Sequence, residues 1–262
     1  MSYSLAELMI CAAAESWNGD GEVLATGIGL LPRLAASLAM KTSNPDMMMT
    51  DSECWLLSEP NPVSGRKSGQ AQANETWMGF TRIFDNVWSG KRHAMVGPTQ
   101  IDRFGQANIS CIGGTYDKPK VQMLGARGFP GNSISHGNSF FVPSHNSRVF
   151  VDGECDFVGT IGYNPERLPK GYSLDDIDIR RVITDLCVMD FGGPDHQLRV
   201  LTLHPGITLD QVKENTGFEI TVADNVGTTA APTEGQLAII ADLDPANFRS
   251  KQLKDNPPGD RS

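Results

Sequence analysis

Three things are missing from this chain, and each absence removes a class of function. There is no run of lysine or arginine: 22 basic residues stand against 31 acidic ones, a net charge of −9. A protein that grips a nucleic-acid backbone needs a basic stripe, so that class drops out. There is no apolar run near the roughly 20 residues needed to cross a bilayer, so no membrane role is expected. The five cysteines (Cys11, Cys54, Cys111, Cys155 and Cys187) are scattered and odd in number, with no pair at metal-ligand or redox spacing. They read as free thiols of a reducing compartment. His93, His145, His196 and His204 share no ligand spacing either, and neither a metal nor a resident cofactor is expected. Glu7 lies in the N-terminal apolar stretch with no basic residue before it, which is not the pattern of a secretory signal. A cytoplasmic location is expected.

What remains is an ordinary globular composition, 39% hydrophobic and 20% charged over 262 residues. Residues 4–17 read as a helix, with Ser4 and Glu7 forming a capping box. A short strand follows at 22–26, then Gly27-Ile28-Gly29 turns the chain into a second helix over 31–41. Pro45-Asp46 starts a Met-rich strand. Helix alternating with strand predicts an α/β fold, an open and mostly parallel sheet with flanking helices. Residues 58–76 form a polar loop in which Arg66 and Lys67 could touch phosphates. Residues 80–88 read as a helix, 93–96 as a strand and 100–108 as a hairpin whose Gly105 suits a positive φ. The C-terminal half is strand-rich, with expected strands at 140–142, 148–151, 156–158, 181–188 and 198–203, then helices at 209–215 and 234–243. Residues 1–244 are expected to form one domain, and the polar stretch 245–262, with Pro257-Pro258-Gly259, a mobile tail.

Several segments, in order and with spacing kept, resemble the beta chain of class I CoA transferases. They are Thr26-Gly27, Asn44-Pro45-Asp46, Gln100-Ile101-Asp102 with Gly105 and Asn108, the glycine loop at 125–132, Val182-Ile183-Thr184-Asp185, and Pro205-Gly206 through Val212. Glu214-Asn215-Thr216-Gly217-Phe218 matches five consecutive residues. The resemblance implies a CoA-transferase-like fold. It also implies an acyl-CoA substrate and a homologous alpha chain as partner, assembled as α₂β₂ with the cleft between the two chains.

One departure stands out against that family. Its strand after Pro-Asp leads into Glu-Ser-Gly or Glu-Asn-Gly, and the glutamate is the nucleophile. Counted without gaps from Pro45-Asp46, the glutamate falls on Ser52 and the glycine on Cys54; Glu53 comes one residue late. A serine cannot form the acyl anhydride that transferase chemistry needs. If the strand continues through this point, alternation turns Glu53 away from the old seat, unless a bulge restores it. Asp51 is the neighbouring acid, suited to general-base work or to an ordinary loop end. Cys54 has no sequence-adjacent histidine to activate it.

In the glycine loop, Gly125, Gly128 and Gly131 match family glycines whose backbone amides face a developing oxyanion, and Arg127 replaces a small residue. A guanidinium there suits a substrate carboxylate or carbonyl, or else an interchain salt bridge. Asn132, Ser135, His136 and Asn138 could line the same pocket. Within the family, the chain most resembles beta chains of hydrolases that open the last steroid ring, whose substrate carries a propionate arm. That resemblance implies water addition to a 6-oxocyclohexene-carboxyl-CoA followed by retro-Claisen cleavage. Two alternatives stay open: a true CoA transferase using Glu53, and a non-catalytic partner that stabilises the alpha chain.

Overall fold

The computed structural model describes residues 2–51, 53–63, 73–126 and 128–261. The first half runs α1 (Leu5–Ala14), β1 (Leu24–Gly27), α2 (Leu30–Lys41), β2 (Met48–Thr50), β3 (Trp55–Leu57), β4 (Asn74–Trp77), α3 (Gly79–Trp88) and β5 (Arg92–Val96). Two hairpins follow, β6 (Gln100–Ile101) with β7 (Ala107–Asn108), and β8 (Cys111–Thr115) with β9 (Lys118–Gln122). Then come α4 (Phe129–Ser135), β10 (Gly137–Val142), β11 (Ile179–Thr184), β12 (Cys187–Asp190), β13 (Arg199–Leu203), α5 (Leu209–Glu214), β14 (Thr221–Thr228) and α6 (Glu234–Leu243).

The main sheet has ten strands in the order β14-β13-β12-β11-β10-β5-β1-β2-β3-β4. Its centre, β11-β10-β5-β1-β2, is parallel throughout. Antiparallel strands flank that centre on both sides. A parallel centre must be covered on both faces, and this one is. Ala25, Met49, Met95, Phe141 and Ile183 pack under α1, α2 and α6, while Ala94, Val96, Phe140, Val142 and Val182 pack under α4 and the C-terminal half. Among the described residues no helix is long and apolar enough to cross a membrane.

Local chemistry sets the elements that matter below. Gly27 lets α2 come close to β1, since a Cβ there would lie 2.4 Å from the carbonyl oxygen of Pro32. Asp102 caps the β6–β7 turn, its Oδ1 accepting the N–H groups of Phe104 and Gln106 at 2.9 Å each. Gly105 takes the expected positive φ (76°), and a side chain there would also strike Phe191. Asp51 does the same for the β2–β3 turn: its Oδ1 accepts the N–H groups of Glu53 and Trp55, both at 2.9 Å.

Some expectations need correction. The strand expected over 181–188 is a hairpin, because the Thr184 hydroxyl accepts the N–H groups of Leu186 and Cys187 and turns the chain. Residues 156–158 join no ladder, and the Asp156 carboxylate instead accepts the Gly113 N–H. Of 148–151 only Phe150 bridges another strand, at Ile101. Strands β3, β4, β8, β9 and β14 were not expected. The tail is fastened, not mobile. Pro257 and Asn256 accept the first two amides of α1, from Leu5 (2.8 Å) and Ala6 (3.0 Å), which no intrahelical carbonyl can reach. Ser4 and Glu7 complete the expected capping box. Arg249 joins Glu7 (2.9 Å) to the buried Asp244 (3.2 Å).

Removing one partner of a buried pair strands the other charge, so Arg249→Ala should cost about 3 kcal/mol in denaturant unfolding. Cys54 follows Asp51's turn with φ 63°, the left-handed region that costs a side-chain-bearing residue about 1 kcal/mol. Cys54→Gly should therefore leave stability within about 1 kcal/mol, strain relief offsetting the lost buried thiol, whereas the β-branched Cys54→Val should lose about 2 kcal/mol or more. Both are read from urea midpoints at constant m-value.

Acid should also unfold the chain early. Burial holds His145 down to about 3, and His204 and His136 to about 4. The unfolded chain takes up those three protons near pH 6.5 and the native state does not, so stability falls as pH drops below 6.5. Asp102, pushed up to about 7 by burial, and Asp185, also raised, oppose this with at most two protons. The net is at least about one proton, or ~1.4 kcal/mol per pH unit between pH 6 and 5. His145→Gln should flatten that slope by about one proton.

Candidate active site

Parallel pairing puts the C-terminal ends of β1, β2, β5 and β10 along one edge of the sheet, where open α/β sheets place ligands. Three of these ends enclose a cleft of about 300 Å³, lined by Ile28 and Gly29 from the β1–α2 turn, Pro32 from the first turn of α2, Pro98 and Thr99 after β5, and Pro143 after β10. The fourth end, β2, leads into the Asp51–Cys54 turn. Arg33, in the first turn of α2, donates from Nη1 to the Thr50 carbonyl at 3.3 Å and ties the two turns together.

The expected site residues are distributed as follows. Ser52, Arg127, Arg66 and Lys67 lie outside the described residues. Glu53 is exposed and sits in a turn, because β2 ends at Thr50. Strand alternation therefore does not reach Glu53, and pleat parity, contrary to expectation, does not set the direction of its carboxylate. Its backbone is held instead, the N–H by Asp51 and the carbonyl by the Trp77 indole N–H at 3.0 Å. Position 54, where the resemblance puts a glycine, has the backbone conformation that glycine favours. That agrees with the ungapped count from Pro45, which puts the family glycine at position 54.

Of the loop expected at 125–132, the last four residues are helical. Gly125 (φ 97°) has open space around it, and Gly128 (φ 77°) caps α4. Gly131 is a packing glycine, with Val87 and Trp88 about 3 Å from where a Cβ would stand. The Asn132 N–H donates to the Gly128 carbonyl inside the helix. Its side chain instead enters a buried polar group: Oδ1 accepts from Arg92 Nη1 at 3.0 Å, and the Asn132 carbonyl accepts from Asn138 Nδ2 at 2.7 Å. His136 Nδ1 donates to the Gly137 carbonyl (2.8 Å), which leaves the Nε2 lone pair facing Arg92 Nη1 at 3.4 Å. Ser135 is half-buried at the end of α4. Asn132, His136 and Asn138 are thus brought together, on the sheet face beneath α4.

Arg92 has only a faint signal in the sequence, which is period two: Arg92, Ala94 and Val96 share one face of a strand that is otherwise buried. A second constellation looks catalytic and is not. Ser139 Oγ lies 2.9 Å from His93 Nε2, and His93 Nδ1 lies 2.6 Å from Asp20. That is the order of a serine-hydrolase triad, but Ser139 is fully buried and Arg180 also binds Asp20. With Trp17 Nε1 donating to the His93 carbonyl, the group is a core cross-link.

Comparison with known proteins agrees with the resemblance read from the motifs. No protein-family model matches the chain. It is 41% identical over 249 residues to the cholesterol ring-cleaving hydrolase IpdB subunit of Rhodococcus jostii, covering 95% of both chains. It is 35% identical over 248 residues to the second subunit of the 3-oxoadipate CoA-transferase of Pseudomonas knackmussii, covering 93% of this chain and 94% of that one. The crystal structure of Rhodococcus jostii IpdAB superposes with a TM-score of 0.88 at 39% identity, over 97% of this chain and 100% of its counterpart. At this identity and coverage, the chain belongs to the IpdB family of beta subunits, within the wider group of CoA-transferase beta chains.

Proposed function

We infer that the chain is the beta subunit of a heteromeric acyl-CoA hydrolase, active with a homologous alpha chain, that opens the last steroid ring during cholesterol degradation. The relationship to IpdB subunits over 95% of both chains carries this reading. Serine at position 52 supports it, since a chain that keeps the transferase scaffold without its carboxylate nucleophile has changed chemistry. An α₂β₂ assembly in the cytoplasm fits the same reading.

The substrate proposed is a 6-oxocyclohexene-carboxyl-CoA with a propionate arm. Water adds to the ring enone or ketone. The bond between the hydrated ketone carbon and the carbon alpha to the thioester then breaks. The ketone carbon leaves as a carboxylic acid, the electron pair passes into the thioester as an enolate, and a proton quenches it. Three services are needed: a base for water, donors for the enolate oxygen, and an anchor for the arm. The base is assigned to the alpha chain. Backbone amides around Gly125 and Gly128 are the proposed donors. Arg127 is proposed to contact the substrate's carbonyl or carboxylate, with Gly131 and Asn132 shaping that segment from behind. Ser52 is proposed to hold water or donate a hydrogen bond, and Glu53 to stand beside the site.

Glu53 carries an exposed carboxylate one residue from the nucleophile's seat, which keeps the transferase alternative testable. The heteromer should convert the cyclic acyl-CoA to a ring-opened product that carries oxygen from labelled water. It should form no hydroxylamine-sensitive enzyme–CoA thioester, and Glu53→Gln should retain at least about a third of kcat. A trapped thioester, together with a loss of about 10³-fold or more in Glu53→Gln, would instead establish nucleophilic transfer.

A further inference from the structure

Arg92 is more than nine-tenths buried, yet among the described residues no carboxylate pairs with it. Its partners among the described residues are the Thr26 hydroxyl, which accepts from Nε at 3.1 Å, the Asn132 side-chain oxygen at 3.0 Å and the His136 ring at 3.4 Å. All three are neutral, because burial keeps the imidazole unprotonated at ordinary pH. Other inward-leaning arginines differ. Arg180 meets Asp20 and Asp178, Arg199 meets Asp190, and Arg249 meets Glu7 and Asp244. Arg33 and Arg261 each feel a nearby carboxylate, from Asp51 and Asp185. On Arg92 burial alone acts, pushing it down to about 10.

A buried charge without a counter-ion is costly, and groups perturbed in this way cluster at functional sites. The committed donors show how it would arrive. Nε and Nη1 are engaged, whereas Nη2 makes no hydrogen bond among the described residues and is not one of the sealed, unsatisfied atoms. Nη2 is therefore the uncommitted end of the guanidinium and is not fully sealed from solvent. The position is also telling. Thr26 immediately precedes the Gly27-Ile28-Gly29 turn, and Asn132 lies four residues after Gly128. Arg92 thus bridges the two segments from which the candidate site is built.

We propose that Arg92 is a specificity-determining residue that receives a substrate carboxylate end-on at Nη2, so that the enzyme selects acyl-CoA substrates bearing a carboxylated arm. This rests on the hydrolase reading for the identity of the acyl group, and it leaves Arg127 for the ring carbonyl. Thr26, Asn132 and His136 hold the guanidinium in one orientation with neutral groups, which keeps its charge available for the incoming anion.

The test uses the assembled heteromer with Arg92→Met and Arg92→Lys, and two cyclic acyl-CoAs that differ only in the propionate arm. For Arg92→Met, kcat/KM on the arm-bearing substrate should fall about 100-fold, mainly through KM, and on the armless one by less than about 3-fold. Arg92→Lys should recover part of the loss. Equal losses on both substrates would overturn the proposal and make Arg92 a structural tie. Failure of Arg92→Met to co-purify with the alpha chain would also overturn it, by assigning the counter-ion to the partner subunit. If the wild-type heteromer turns over neither substrate, the hydrolase reading fails separately. Propionate protection of Arg92 from phenylglyoxal, mapped by peptide mass, then decides: protection supports a carboxylate receptor and its absence refutes it.

Discussion

Parallel pairing of β1, β2, β5 and β10 is the constraint on which the rest depends. Parallel strands start at one edge and finish at the other, so four unrelated turns must emerge side by side. Those turns hold the cleft, while the buried arginine stands at the other end of β5, as its first residue. The same pairing demands apolar cover on both faces, which α1, α2 and α6 supply on one side and α4 with the C-terminal half on the other. The close approach of α2 to β1, possible only because residue 27 lacks a side chain, locks the first of these turns in place.

The site combines a retained frame with altered contents. Asp51 caps its turn through two amides, and Cys54 takes a backbone conformation suited to glycine, the residue that the resemblance puts there. On the proposed reading, one fold serves hydrolysis in place of covalent group transfer. What the chemistry needs beyond this chain is assigned to the alpha subunit, since the candidate cleft is open at the edge of the sheet.

Much of this was legible in sequence, for identifiable reasons. The Ser4–Glu7 box, the amphipathic helices and the Asp102–Gly105 turn follow from local rules that act within a few residues. The family resemblance followed from motifs spread along the chain, and the comparisons bear it out. The hairpin at Thr184 was missed because only Thr184 and Asp185 separate the two apolar runs, with no glycine or proline to mark the turn. The helix over Phe129–Ser135 hid behind its glycines, one of which packs against Val87 and Trp88. The orientation of Glu53 could not follow from pleat parity, because the strand stops before it. Arg92 was overlooked because its meaning lies in the carboxylate that is not beside it, and sequence records no distances.

The fastening of the tail has a consequence for biosynthesis. Arg249 meets Glu7 across 242 positions and Asn256 meets Ala6 across 250. A ribosome releases the first helix long before it makes the residues that satisfy that helix's leading amides. During that interval α1 can form only loosely, and the apolar face it shares with α2 stays partly open to chaperones and to premature association. Maturation of this subunit thus waits on Arg249, Asn256 and Pro257, and so does docking onto an alpha chain in its finished form.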